Sequence, residues 1–176
     1  MGAIFMDIDE VKNNANNREF ILNAVKEKGT LLDFASDELK DDREIALEAV
    51  KNNGEALEFV SKRLKDDKEI VLESVRKLGW TACYASDRLK GDKYIILAGV
   101  KVDGQVLYYA SQELRNDKEV VLNAVTNKGL IYKYASKKLR DDVEVAIAAF
   151  KQDKRAYDFM SDDMKNIEQI QEIKNS

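Results

Sequence analysis

Four residue types recur in this sequence at a fixed interval of 25 residues, and this period limits what the chain can fold into. Glycine shows the interval most clearly, and its copies are Gly29, Gly54, Gly79, Gly104 and Gly129. A serine follows each glycine, then a leucine, and then an aspartate that closes the unit. The aspartates are Asp42, Asp67, Asp92, Asp117 and Asp142. Chance does not keep four series in phase without an insertion or a deletion, so the sequence indicates a tandem repeat.

One copy of the repeat begins at Asp67 and starts with a predicted α-helix. Asp67 precedes the run Lys68–Lys77 and is expected to cap it, because its carboxylate can accept a hydrogen bond from a free backbone N–H. Within the run, Ile70, Val71 and Val75 share one broad face. This spacing predicts an amphipathic helix with one buried side.

A glycine and a second helix complete the unit. Gly79 is expected to end the first helix by adopting the left-handed backbone conformation. A shorter helix, roughly Trp80 to Ser86, is predicted to follow, with an aromatic residue and a small residue on its inward face. These pairs are Phe34/Ala35, Phe59/Val60, Tyr84/Ala85, Tyr109/Ala110 and Tyr134/Ala135.

A hairpin of 25 residues cannot bury its apolar face alone, so neighbouring copies must stack. The first helices carry a small residue at one repeated position, which would let them approach closely: Ala24, Ala49, Ser74, Gly99, Ala124 and Ala149. The sequence therefore predicts an all-α fold, a right-handed α-solenoid of six helix–turn–helix repeats.

The expected domain organisation is a single helical-repeat domain over residues 1–176. Residues 18–167 form the six repeats. Residues 1–17 are predicted to be an N-terminal cap in which Phe5, Ile8 and Val11 form a short helix. Residues 168–176 are predicted to be a C-terminal cap that contains a truncated helix.

The repeated pattern resembles a known family of tandem helical repeats. It contains Asp117-Lys-Glu-Val-Val-Leu-Asn-Ala-Val125, then Gly129, Tyr134-Ala-Ser136 and Leu139-Arg-Asp-Asp142. This pattern is similar to the repeats catalogued as domain of unknown function 4116, and the resemblance covers about residues 18–167. It implies a repeat architecture and carries no catalytic residue over to this chain. By analogy, a short stand-alone member would suit a phage or an intracellular bacterium as a protein that acts on host proteins.

The chain lacks the side chains on which most enzymes depend. It has no histidine, the commonest general base and metal ligand, and a single cysteine, Cys83. Aspartate pairs such as Asp41 and Asp42 recur with the period, so we interpret them as helix caps rather than as a cation site or a catalytic pair. The sequence therefore predicts no catalytic residue, no metal site and no cofactor, and we expect a protein that is not an enzyme.

Cysteine content and hydropathy also suggest a location. A single cysteine fits a reducing compartment. No apolar run approaches the roughly 20 residues that span a bilayer. We therefore expect a cytoplasmic protein, either in the source cell or in a host cell.

One basic residue recurs in each repeat and could form a ladder along one edge of the stack: Lys40, Lys65, Lys90, Arg115, Arg140 and Lys165. Such a ladder could bind the phosphates of a nucleic acid. The formal net charge of the chain is −4, however, and acidic residues lie close to most of these cations. We therefore favour a solvated ladder with neutralising neighbours, and nucleic-acid binding is the weaker alternative.

The residues that vary between repeats are free to recognise a partner. On the outward side of the second helix, the central repeats carry aromatic and apolar residues where the outer repeats carry charges. Further apolar residues replace polar ones elsewhere in the same repeats. The predicted patch consists of Trp80, Cys83, Tyr108, Leu130, Leu78, Tyr94 and Val102. Aromatic anchors surrounded by polar residues are typical of protein-binding sites, so the sequence predicts a non-catalytic protein-binding module.

Three alternatives to this prediction stay open. The same surface could inhibit a host enzyme or a nucleic-acid effector complex, such as a defence nuclease. It could also join two copies of this chain. Finally, Trp80 could fold over a groove between repeats and complete the core instead of facing a partner.

Overall fold

The structure, a computed structural model, describes residues 7–175, and within this range every regular element is helical. The predictions of an all-α fold and of a tandem helical repeat are confirmed. Each repeat begins with a long α-helix of 10 residues. These helices are Arg18–Glu27, Arg43–Asn52, Lys68–Lys77, Lys93–Val102, Lys118–Asn127 and Val143–Gln152. No helix in the described part of the chain is both long enough and apolar enough to cross a lipid bilayer.

The second part of each repeat is a 3-10 helix, and a short helical turn follows it, so a repeat holds three helical segments rather than two. A shorter helix therefore follows the first one as predicted, but it is a 3-10 helix and ends at Tyr84 rather than at Ser86. The 3-10 helices are Gly29–Phe34, Gly54–Glu58, Gly79–Tyr84, Gly104–Tyr108, Gly129–Tyr134 and Lys154–Phe159. The turns are Asp37–Lys40, Leu64–Asp66, Asp87–Lys90, Gln112–Arg115, Lys137–Arg140 and Asp162–Lys165.

The 3-10 helix Gly79–Tyr84 has three residues per turn, and its side chains differ in burial. Gly79 and Ala82 lie in line and are buried, whereas Trp80 lies on another line and is half-buried. Thr81 and Tyr84 lie on the third line, where Thr81 is buried and Tyr84 is half-buried. The small residue of each predicted inward pair is therefore buried as expected, and the aromatic residue is half-buried. The other half-buried aromatic residues of this series are Phe34, Phe59, Tyr109 and Tyr134.

Close packing, and not backbone conformation, requires four of the periodic glycines, Gly29, Gly54, Gly104 and Gly129. No glycine between residues 7 and 175 has a positive φ, so the predicted left-handed role of Gly79 was wrong. The long helix ends instead at an extended residue, Leu78, with φ −137° and ψ 92°. At Gly129, an added Cβ would overlap the carbonyl oxygen of Ala149 and lie 2.9 Å from the backbone nitrogen of Asp153. The glycine therefore lets the 3-10 helix of one repeat contact the long helix of the next.

The chain contains two compact units, which divide after Ser86. In the first unit, Asp67 caps its helix as predicted, because its side chain accepts from the backbone N–H groups of Glu69 and Ile70. The same carboxylate accepts a hydrogen bond from Nε of Arg43 in the preceding repeat, at 2.8 Å. A second nitrogen of this guanidinium lies 2.5 Å from Glu69. The cap thus also joins two repeats.

The paired aspartates have separate structural roles in the first unit. Asp42 caps the helix Arg43–Asn52, whereas Asp41 accepts a hydrogen bond from the hydroxyl of Ser61 in the next repeat. The backbone N–H of Ser61 donates to the carbonyl oxygen of Lys40 at 3.0 Å. These contacts support the interpretation of the pairs as structural groups.

Ion pairs between repeats recur in the second unit, with lysine in place of arginine. Lys93 Nζ lies 2.8 Å from Asp117, and Lys118 Nζ lies 2.8 Å from Asp142. Both aspartates also cap the long helix that follows them. The same design therefore holds neighbouring repeats together in both units.

An amide side chain near the end of the long helix forms a contact that the sequence analysis missed. Asn52 accepts a hydrogen bond from the N–H of Gly29 at 2.7 Å and donates to the carbonyl oxygen of Lys26 at 2.8 Å. In the second unit, Asn127 accepts from the N–H of Gly104 at 2.8 Å. The amide satisfies a backbone donor that the close packing of the glycine removes from water.

The terminal helices cover the ends of the repeat array. The helix Ile8–Asn13 packs on the first 3-10 helix and buries Val11 completely. Phe5, which was predicted to contribute to this cap, lies outside the described residues. At the other end, the helix Glu168–Asn175 packs on the last long helix and buries Ile170.

Candidate functional site

The basic ladder that the sequence suggests consists in part of backbone contacts. Lys65 Nζ donates to the carbonyl oxygen of Glu58 at 2.6 Å. Arg115 donates to the backbone oxygens of Ala110 at 2.9 Å and of Tyr108 at 3.1 Å. These oxygens lie at or next to the end of a 3-10 helix, where carbonyl groups lack helical partners. Lys65 and Arg115 therefore stabilise their own repeats, which corrects the expectation of a solvated ladder for these two residues.

A groove in the second unit contains part of the predicted patch. Its volume is about 270 Å³. It lies where the 3-10 helices of two successive repeats run side by side, and we call it the tyrosine groove. Its lining consists of Gln105, Tyr108, Lys128, Leu130, Lys133 and Tyr134, with Tyr109 and Ile131. The structure thus brings Tyr108 and Leu130 together, as the sequence predicts for this pair.

Tyr108 is held in the tyrosine groove by neighbouring rings. Its ring centroid lies 5.2 Å from that of Tyr109 and 4.8 Å from that of Tyr134. The interplanar angles are 75° and 69°, which are edge-to-face arrangements. Tyr108 nevertheless leaves 47% of its surface exposed. The groove therefore presents a large aromatic side chain whose position is fixed by its neighbours.

The lining of the tyrosine groove carries positive charge. Lys128 Nζ lies 2.7 Å from the neutral amide oxygen of Gln105. Lys133 Nζ lies 5.0 Å from the ring centroid of Tyr134 and 5.5 Å from that of Phe159. Both lysines are exposed, and the described lining contains no carboxylate. The groove therefore combines apolar rings with two cations whose described contacts are with neutral groups.

Trp80 lies on a different kind of surface in the first unit. It is half-buried, and its ring packs edge-to-face on Tyr84 with centroids 5.9 Å apart. Burial raises the pKa of the Tyr84 phenol to about 12, with contributions from a hydrogen bond and from the negative charge of Glu58. Lys65 Nζ lies 5.7 Å from the Tyr84 ring. Cys83 is half-buried in the same 3-10 helix. Because Glu58 acts on the Tyr84 phenol, this surface combines aromatic rings with an acidic group.

The other predicted patch residues are more dispersed. Tyr94 and Val102 lie at opposite ends of the helix Lys93–Val102, eight residues and therefore about 12 Å apart along its axis. They are 54% and 45% exposed, and neither lines the tyrosine groove. Leu78 is the half-buried residue that links a long helix to its 3-10 helix in the first unit. One contiguous patch of all seven residues stays a prediction.

Shallower grooves lie on the long helices of the second unit. One of about 430 Å³ includes Leu122, and another of about 530 Å³ includes Ile147. Their aliphatic residues belong to a half-buried series that recurs in every repeat: Leu22, Leu47, Leu72, Leu97, Leu122 and Ile147. A residue that recurs in every repeat is expected to hold the stack rather than to distinguish a partner.

Three important groups of the tyrosine groove were not predicted from the sequence. Tyr134 belongs to the repeated aromatic series that was assigned to the core, and the structure leaves it half-buried. Lys133 lies three residues after Leu130, and it was not selected because the predicted patch consists of aromatic and apolar residues. Lys128 precedes the repeated glycine, at a position where other repeats carry Asn53, Leu78 and Asp103. Variation at this position was the available signal for Lys128.

Comparison with known proteins identifies the repeats by family. A family model described as Domain of unknown function (DUF4116) matches residues 17–65, 67–115, 92–140 and 117–165. These overlapping matches cover most of the chain and follow the period of the structural repeat. No curated protein and no solved structure matches the chain with statistical significance.

Proposed function

The chain belongs to this family of helical repeats, whose description assigns no activity, and we propose from its surface that it is a non-catalytic module that binds another protein. The observation that carries the proposal is the exposed but fixed ring of Tyr108 in the tyrosine groove. Tyrosine and tryptophan dominate the binding energy of many protein interfaces, because they bury a large area and lose little conformational entropy.

The exposed area of Tyr108 is large enough to anchor a partner. A tyrosine side chain buries roughly 200 Å² when it is fully covered. The exposed 47% therefore corresponds to roughly 100 Å², and its burial stabilises a complex by about 2 kcal/mol. The packing of Tyr108 on Tyr109 and Tyr134 means that little side-chain freedom remains to be lost on binding. Leu130 adds apolar area in the same groove.

Inhibition of a host enzyme or effector complex is one way in which such binding could be used, and it requires the same surface. Nucleic-acid binding through the basic ladder has less support, because Lys65 and Arg115 donate hydrogen bonds to carbonyl groups of their own repeats. Self-association through the tyrosine groove would also bury Tyr108, and sedimentation analysis of the purified protein separates it from binding to a different protein.

The proposal is tested by affinity capture from lysate, followed by titration of the purified partner. Wild type is compared with Tyr108→Ser/Leu130→Ser, whose helix content is checked by circular dichroism. Tyr94→Ser is the control that distinguishes the groove from the wider predicted patch, because it removes an exposed patch tyrosine of the same unit outside the groove. We expect the double variant to weaken binding by about 30-fold or more and the control to bind like wild type. Equal affinity of wild type and the double variant would reject the proposal.

A further inference from the structure

The charge of the tyrosine groove points to the chemistry of its partner. Building on the proposed function, we infer that the groove binds an extended acidic segment of a protein. In this arrangement an apolar side chain of the segment packs on Tyr108 and Leu130, and carboxylates of the segment pair with Lys128 and Lys133. Each of these four residues lines the groove.

The first support is the contrast between these lysines and three ion-paired cations of the second unit. Lys93 and Lys118 each pair with two carboxylates of the next repeat, and Arg155 pairs with Asp153 of its own repeat. These three cations are already neutralised, and Lys93 and Lys118 also hold neighbouring repeats together. Lys128 contacts a neutral amide, and Lys133 contacts aromatic rings. Carboxylates from a partner can therefore approach the two groove lysines without displacing an existing ion pair.

The second support comes from the equivalent positions of other repeats. Lys133 occupies a position that carries Asp33 and Glu58 in the first unit, and both of these residues are exposed on their own 3-10 helices. The fold thus accepts an acid at this position. The formal net charge of the whole chain is −4, so a groove with two lysines and no carboxylate departs from the general balance of the protein.

The dimensions of the groove favour a peptide segment over a nucleic acid. The volume is about 270 Å³, and only two of the lining residues are cationic. A nucleic acid needs a longer run of cations along its backbone, and it also needs an open ring face for each stacked base. The rings of Tyr109 and Tyr134 pack edge-to-face with Tyr108, with centroids 5.2 Å and 4.8 Å from its own. This packing leaves less space for a base to stack on the ring of Tyr108. A side chain of a peptide needs less room.

The experiment selects peptides without assuming a sequence. A displayed library of random dodecapeptides is enriched on wild type and depleted on Tyr108→Ser/Leu130→Ser, so that the surviving peptides depend on the groove. Synthetic copies of the survivors are then titrated by fluorescence anisotropy, beside versions in which Asp and Glu become Asn and Gln. Fluorescent oligouridine is titrated as the nucleic-acid probe.

Two charge-reversal variants separate local from general electrostatics. Lys128→Glu/Lys133→Glu changes the groove, and Lys137→Glu/Lys138→Glu makes the same change in net charge at exposed residues outside it. We expect the selected peptides to be acidic and to contain an apolar residue. Their affinity should fall by about tenfold or more in the groove variant and by less than about twofold in the control variant. The amide versions of the peptides should lose a similar amount.

The remaining outcomes contradict the inference in distinguishable ways. If the surviving peptides are neutral or basic, the acidic partner is refuted and the proposed function stands. If no peptide depends on the groove although a captured protein does, the extended segment is refuted and the proposed function again stands. Groove-dependent binding of oligouridine alone would refute both. If Tyr108→Ser/Leu130→Ser captures the protein and binds the peptides as wild type does, both the inference and the proposed function are refuted.

Discussion

Replacement of Gly129 by alanine should destabilise the protein, because the added Cβ meets backbone atoms of the next repeat. The Cβ would overlap the carbonyl oxygen of Ala149 and lie 2.9 Å from the backbone nitrogen of Asp153. Neither atom belongs to a flexible side chain, so relief requires the helix Val143–Gln152 to move away from the 3-10 helix Gly129–Tyr134. Overpacking of this kind costs about 1–3 kcal/mol.

The backbone conformation sets the size of the net effect. Because Gly129 does not have a positive φ, alanine is not strained there, and it lowers the entropy of the unfolded chain by an amount worth about 0.5 kcal/mol. We therefore expect a net loss of about 1.5 kcal/mol in the free energy of unfolding. For a chain of this length, such a loss lowers the Tm by about 3–6 °C.

Gly91→Ala is the matched control in the same unit. Gly91 is exposed, and the nearest atom to its added Cβ is the carbonyl oxygen of Arg88 at 3.4 Å, an ordinary contact. Alanine should therefore stabilise the protein by about 0.5 kcal/mol at this position. The two variants should differ in sign when urea denaturation is followed by circular dichroism.

Gly129→Asn distinguishes close packing from a conformational requirement. Asparagine tolerates the left-handed region better than alanine does, but its side chain is larger. Close packing at Gly129 predicts that asparagine is at least as destabilising as alanine. Recovery of stability with asparagine, or equal stability of Gly129→Ala and wild type, would refute the reasoning.

Three further predictions concern the contacts between repeats and the surface of the first unit. Asn127→Ala should lower the free energy of unfolding by about 1–3 kcal/mol, because it leaves the buried N–H of Gly104 without its acceptor. Thr126 is exposed, so Thr126→Ala should change the free energy of unfolding by less than about 0.5 kcal/mol in the same urea assay. Burial alone would raise the pKa of Asp67, but hydrogen bonds from Arg43 and from two backbone N–H groups, with the charge of Arg43, hold that pKa below the usual 3.8. The folded state therefore binds fewer protons than the unfolded state, so this stabilisation is present above about pH 4 and is lost as the pH falls through the lowered pKa. Asp67→Asn keeps a capping side chain and should show a shallower loss of stability in acid. An unchanged slope of stability against pH would contradict this. Burial and the neighbouring Glu58 raise the pKa of Tyr84 to about 12, so the absorbance difference between wild type and Tyr84→Phe should titrate with a midpoint near that pH. This midpoint should shift downward when Glu58→Gln is present. A midpoint near 10 in the protein with Glu58 would contradict the assignment.

Local chemistry made the long helices predictable from the sequence. An aspartate followed by a helical run with one apolar face specifies both a cap and a buried side, and Asp67 with Lys68–Lys77 behaves in this way. Their position in the repeat also identified the paired aspartates as structural groups. The caps and the buried faces depend on residues within one repeat, so a single copy of the pattern was sufficient for them, whereas the paired aspartates were identified by their recurrence.

The errors arose where the structure depends on contacts between repeats. A glycine after a helix usually indicates a left-handed end, whereas Gly129 is required by the position of Ala149 in the next repeat. The amide contact of Asn127 with Gly104 joins residues 23 positions apart, and no local pattern indicates it. An extended residue separates each long helix from the 3-10 helix that follows it, and the propensities of the residues do not specify this junction.

The candidate site was predictable in part, because it is built from residues that vary between repeats. Tyr108 and Leu130 were found by this criterion and share one groove. Tyr134 was not found, because it belongs to a series that recurs in every repeat. Tyr134 contributes to the groove because its ring packs on that of Tyr108, with centroids 4.8 Å apart. A tyrosine at the position of Tyr108 occurs in one repeat only.

Binding of a protein partner through the tyrosine groove is tested best by isothermal titration of the captured and purified partner into wild type, Tyr108→Ser/Leu130→Ser and Tyr94→Ser. We expect wild type and Tyr94→Ser to give the same Kd, and the double variant to raise it by about 30-fold or more with its helix content unchanged. The same Kd for all three proteins would show that the partner binds elsewhere and would contradict the proposed function of the groove.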